Sequence, residues 1–65
     1  MVRLKIKEVA QSKGYSMNSL SRATDISFNT IKRLWKNPHA GVTVETLSKI
    51  AKVLNVSISE LTEDD

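Results

Sequence analysis

"GYSMNSLSRATDISFNTIKRLWKN", residues 14–37, holds two short helical patterns separated by only Asp25, Ile26 and Ser27. Each pattern opens in the same way. Tyr15-Ser16 is followed by Leu20, four places after the hydroxyl residue, and Ile26-Ser27 is followed by Ile31. A hydroxyl at such a position accepts an orphan backbone N–H of the first turn, and the flanking apolar pair sets the angle at which the chain comes in. Helices over 17–24 and 28–36 follow. A three-residue turn between short helices forces them to cross steeply, the helix-turn-helix arrangement. A generic small helical bundle would permit the same spacing.

The same punctuation recurs outward from this stretch. Val42-Thr43 precedes Leu47, and Val56-Ser57 precedes Leu61, with Glu60 completing a capping box on Ser57. Val2, Ile6 and Val9 follow i, i+4, i+7, while Val44, Leu47, Ile50, Ala51 and Leu54 follow i, i+3, i+6, i+7, i+10. Gly14, Asn37 and Asn55 suit the left-handed conformation at helix ends, and Pro38 blocks continuation of the third helix. No repeat and no sustained strand alternation is visible. The expected fold is therefore all-α, with five helices near 2–13, 17–24, 28–36, 44–54 and 58–62. One domain spans 1–61, and 62–65 forms a short acidic, flexible C-terminal tail.

Sixty-five residues hold at most one domain, near the lower size at which a single core suffices. There is no cysteine for a disulfide or thiolate site, and His39 alone cannot complete a zinc site. The start, "MVRLKIKEVA", alternates charged and apolar side chains without a continuous apolar run. That argues against a secretory signal or spanning helix and for a soluble, cytoplasmic protein with no membrane partner. Four of the seven acids fall in the last six residues, so residues 1–59 carry ten Lys and Arg against three acids. A body this basic suits a polyanionic partner or a solubilising surface; charge alone leaves both open.

The third helix separates them. With Phe28 at 0° and about 100° per residue, Ile31 and Leu34 fall at about 300° and 240°, the buried side. Asn29, Lys32, Arg33 and Lys36 share an opposite arc of about 100°, with no acid on the helix. An exposed face of donors suits a major groove, where phosphates are anionic and base edges present acceptors. Arg33 can fork onto guanine O6 and N7, and Asn29 can pair an adenine edge. Phe28 can touch a thymine methyl or pack on a neighbouring helix. Lys32 and Lys36 are point charges suited to phosphates, and Lys32 can also reach a guanine. The plainer readings are a first-turn Asn29 and an unpaired surface Arg33. Trp35, at about 340° beside Ile31, reads as rim-of-core packing rather than a stacking platform.

The stretch 14–37 quoted above, followed by "TVETLSKIAKVLNVSISEL" at 43–61, resembles the Cro and lambda-repressor type of helix-turn-helix domain, the XRE-like group. The resemblance covers almost the whole chain, from about Val2 to Leu61. It implies a compact five-helix lambda-repressor-like domain whose third helix reads bases through Phe28, Asn29 and Arg33, to which the donor face adds Lys32. It implies backbone contacts from Met17 and Asn18, with N–H groups near Ser16 aimed at a phosphate, and from Lys36, Asn37 and His39; Ser27, at the start of the third helix, is a further backbone candidate. It also implies a homodimer on a palindromic operator with half-sites roughly 34 Å apart; the expected dimer surface follows Asn55, at Val56, Ile58 and Leu61. The chain departs from the family pattern at four places: Asp25 replaces the usual turn Gly, Ser21 an Ala, Ala10 an Arg and Met17 a Gln.

The function expected is sequence-specific binding of double-stranded DNA by a small bacterial or phage transcriptional regulator, at work in the cytoplasm on the nucleoid. The alternative is an antitoxin or protein-interaction adaptor on a helix-turn-helix body, motivated by the acidic end "SELTEDD". No nucleophile–base pair, carboxylate dyad, phosphate-cradling Gly loop or metal cluster supports an enzyme, a cofactor or a small-molecule ligand.

Overall fold

Among the described residues, four α-helices pack around one core, and a strand near each end of the chain joins a short antiparallel ribbon. The structure, a computed structural model, describes residues 2–64. The order is β1 (Val2–Leu4), α1 (Ile6–Ser12), α2 (Met17–Thr24), α3 (Phe28–Lys36), α4 (Val44–Leu54), a 3-10 turn (Ile58–Leu61) and β2 (Thr62–Asp64).

Caps hold where hydroxyls were expected at α2, α3 and α4. Ser16 Oγ accepts from the Ser19 N–H at 3.2 Å, and Ser19 Oγ accepts from the Ser16 N–H at 2.8 Å, a reciprocal capping box. Ser27 Oγ accepts from Thr30 N–H at 3.3 Å and Thr43 Oγ1 from Thr46 N–H at 3.2 Å. The staple partners Leu20, Ile31, Leu47 and Leu61 are all core residues, and Tyr15, Ile26, Val42 and Val56 are half-buried against the core cluster. Ile6, Leu20, Ile31, Ile50 and Leu61 are fully excluded from solvent, each worth about 1.5–3 kcal/mol of transfer free energy.

Several expectations are corrected. The first helix does not run from 2 to 13; it begins at Ile6, because residues 2–4 form a strand. Val2, Arg3 and Leu4 pair with Asp64, Glu63 and Thr62, so the all-α reading gives way to a mostly helical one with a two-stranded ribbon. The alternation Val2-Arg3-Leu4-Lys5-Ile6 is a strand pattern; Val2 and Ile6 also satisfy the helical i, i+4 spacing, whereas Leu4 does not. The Leu4 N–H donates to the Pro38 carbonyl and the Lys5 N–H to the Leu61 carbonyl, both at 2.7 Å, which tethers the segment on both sides. Thr62–Asp64 is likewise a strand rather than a flexible tail; Asp65 lies outside the described residues.

The fifth helix is a single 3-10 turn, and Ser57 makes no cap bond there; its hydroxyl pairs with Ser59 Oγ at 2.9 Å. Asn37 is extended (φ −119°), not left-handed, because Pro38 disfavours helical geometry in the residue before it. Asp25 takes a left-handed position instead, at φ 59°. Val44 lies outside the stripe of α4 and is 72% exposed. Leu61 is buried and therefore offers nothing to a dimer surface; Val56 is half-buried and Ile58 exposed.

Candidate nucleic-acid interface

α3 is positioned by its buried side. Ile31 is 0% and Leu34 2% exposed, so the helix is pinned along one stripe with its other face outward. Asn29, Lys32, Arg33 and Lys36 are all exposed, on the arc opposite that stripe. Phe28 is 39% exposed at the start of the helix and lies outside the core cluster, whereas Trp35 is half-buried against it. The structure thus separates the two aromatics of α3. One is presented; the other packs.

The charge on this face is uncompensated. Among the described residues the ion pairs are those of Arg3, with Glu8 at 3.8 Å and Glu63 at 3.9 Å, and none involves Lys32, Arg33 or Lys36. Both Arg3 pairs are half-exposed and contribute little stability. Arg33 and Lys36 lie in the last turn of α3, where the helix dipole favours cations. Lys32 and Lys36, however, repel one another at i, i+4, a cost that folding alone does not require.

The backbone candidates divide by what their atoms already do. The Ser16 and Ser27 hydroxyls are engaged as caps, and Ser27 Oγ also donates to Thr30 Oγ1 at 2.8 Å. Met17 is half-buried against the core. What these positions present is main chain: the first N–H groups of α2 and α3 have no intrahelical acceptor and gather positive potential suited to an oxyanion. Asn18 is exposed beside them. After α3, Asn37 Oδ1 accepts from the His39 N–H at 3.1 Å, which leaves the Asn37 amide N–H₂ and the exposed His39 ring directed to solvent.

Two features escaped sequence reasoning. The Pro38 carbonyl, next to this loop, is tied to β1 through Leu4; that partner lies more than thirty residues away in the chain and leaves no local signal. Ser21 Oγ donates to the Ile26 carbonyl at 2.6 Å, so the hydroxyl that replaces a small apolar residue at the α2–α3 contact is satisfied within the turn. Among the described residues no group of His, Cys, Asp or Glu has metal-site geometry, and no helix is long and apolar enough to cross a membrane.

Two helices packed together and joined by a tight turn, the second presenting an acid-free donor face, define a helix-turn-helix DNA-binding domain. The chain belongs to the Cro/C1-type HTH DNA-binding domain family, whose profile matches residues 5–65. It is 37% identical over 60 residues to YopO of Bacillus subtilis strain 168, described as an SPbeta prophage-derived uncharacterized HTH-type transcriptional regulator; the match covers 92% of this chain and 84% of YopO. A Bacteroides fragilis protein, described from its crystal structure as a candidate DNA-binding protein, superposes with a TM-score of 0.85 at 30% identity. That alignment covers 97% of this chain and all of the other.

Proposed function

We propose that the chain is a small transcriptional regulator that lays α3 in the major groove of a short operator. Asn29 and Arg33 meet base edges, Lys32 a base or phosphate, and Phe28 a thymine methyl. The N-terminal N–H groups of α2 and α3, near Ser16–Asn18 and Ser27, hold phosphates on one side. Lys36, Asn37 and His39 hold them on the other. Its place of action is the cytoplasm, on the nucleoid, and the role is binding without a reaction. The observation that carries this reading is the donor face of α3, exposed and without one ion-paired cation among the described residues.

A homodimer on a palindrome completes the proposal, since a single short helix reads too few base pairs to single out one site. The adaptor alternative was motivated by the acidic end; Thr62–Asp64 forms strand β2 there, with Glu63 and Asp64 exposed. Selection from a randomised duplex library tests the reading, with analytical ultracentrifugation of the winner complex. A palindromic winner bound by two chains, roughly a thousandfold tighter than scrambled duplex, is expected. Equal, steeply salt-dependent binding to both duplexes would remove sequence reading, and one chain on a single half-site would remove the dimer.

A further inference from the structure

We infer that Ser21 is a positioning residue for base reading: its hydroxyl sets the angle at which α3 leaves the turn. The inference rests on the reading of α3 proposed above. It comes from comparing three helix ends that use a left-handed residue: Gly14 (φ 82°) after α1, Asp25 (φ 59°) after α2 and Asn55 (φ 58°) after α4.

The ends of α1 and α4 are closed by the main chain. Tyr15 N–H donates to the Ala10 carbonyl at 2.9 Å and Gly14 N–H to Gln11 at 3.0 Å; Val56 N–H donates to Ala51 at 3.0 Å and Asn55 N–H to Lys52 at 3.3 Å. These are the bonds that ordinarily accompany a left-handed cap. Among the described residues, neither the Asp25 nor the Ile26 N–H closes α2 in this way. Hydroxyls act there instead. Thr24 Oγ1 donates to the Leu20 carbonyl at 2.7 Å, inside α2. Ser21 Oγ donates to the Ile26 carbonyl at 2.6 Å, reaching from α2 across Asp25 to the residue just before the Ser27 cap of α3. Among the described residues it is the one hydrogen bond that spans the turn.

The consequence falls on sequence reading rather than on charge. Asp25 has a Cβ and is held in a conformation that side chains resist, so the turn needs an external restraint to keep a single geometry. Forked contacts from Arg33 or Asn29 to base edges tolerate small displacements only, whereas lysines on flexible stems keep their phosphates through larger ones. Without the hydroxyl, a smaller fraction of molecules holds α3 at the reading angle, and affinity for the correct site falls by that fraction.

The test compares full-length parent, Ser21→Ala and Ser21→Thr on the duplex selected by the parent and on its scrambled form, well below each variant's unfolding midpoint. Ser21→Ala is expected to lower the selected-to-scrambled affinity ratio by roughly threefold to tenfold, about the worth of one hydrogen bond. Scrambled binding should be unchanged, and Ser21→Thr, which keeps the donor, should retain the parent's ratio. An unchanged ratio in Ser21→Ala overturns the inference, as does equal weakening on both duplexes. A Ser21→Thr variant as impaired as Ser21→Ala would assign the effect to shape rather than the hydroxyl and overturn it too. A parent that fails to discriminate defeats base reading itself; a discriminating parent with an indifferent Ser21→Ala defeats this inference alone.

Discussion

α3 and α4 begin with the same hydroxyl cap, Ser27 on Thr30 and Thr43 on Thr46, and each lays an apolar stripe into the common core. Their outer faces differ. α4 exposes Glu45, Ser48, Lys49 and Lys52, with Glu45 four places before Lys49, the usual favourable spacing of a solvated helix. α3 exposes Asn29, Lys32, Arg33 and Lys36 with no acid among them. Cap and stripe are sufficient to fold either helix. The acid-free face of α3, with its Lys32–Lys36 repulsion, is what folding does not explain.

Breaking the shared part should affect both helices alike. Leu34→Ala in α3 and Leu54→Ala in α4 remove side chains that are each 2% exposed, and each should lower stability by about 2–5 kcal/mol in chemical denaturation. For a domain whose total is roughly 3–10 kcal/mol, that unfolds a large share of the molecules. A much smaller loss at Leu34 would mean that α3 is not pinned by its stripe. Breaking the part that differs should separate the helices. Lys36→Ala should weaken selected and random duplex similarly and flatten the salt slope by about one unit, the signature of one phosphate contact. Lys52→Ala should change neither; a slope change there would put α4 on the DNA.

The smallest effect concerns the turn between α2 and α3. Asp25→Gly relieves a left-handed residue at φ 59° but frees the unfolded chain, so the net gain should stay below about 1 kcal/mol in thermal unfolding. A loss would show that the Asp25 side chain stabilises the turn by more than its backbone strain costs.

The caps made most of this fold readable in advance. Ser16, Ser27 and Thr43 mark where α2, α3 and α4 begin because capping is local chemistry, decided within four residues. The donor face of α3 was readable for the same reason: Ile31 and Leu34 orient the helix, and the remaining positions follow from its pitch. The ribbon was not. Val2 and Ile6 fit either period, with Val9 continuing a helical stripe and Leu4 a strand face, and the choice is made by Thr62–Asp64 at the far end of the chain. Asn37 was misread because the constraint from Pro38 outweighs the tolerance of Asn for the left-handed region. The Ser16 and Ser27 hydroxyls cap α2 and α3 as their spacing predicts, so any phosphate contact proposed there falls to main-chain N–H groups.

The central claim is that the outer face of α3 reads base sequence, and Arg33 carries most of it. The direct test is titration of Arg33→Ala against parent on the selected duplex and on random duplex at one salt concentration. A loss of about 1–3 kcal/mol on the selected duplex, with little on random DNA, is the predicted result. Equal losses on both would make Arg33 a phosphate contact and contradict the assignment of this face to base reading.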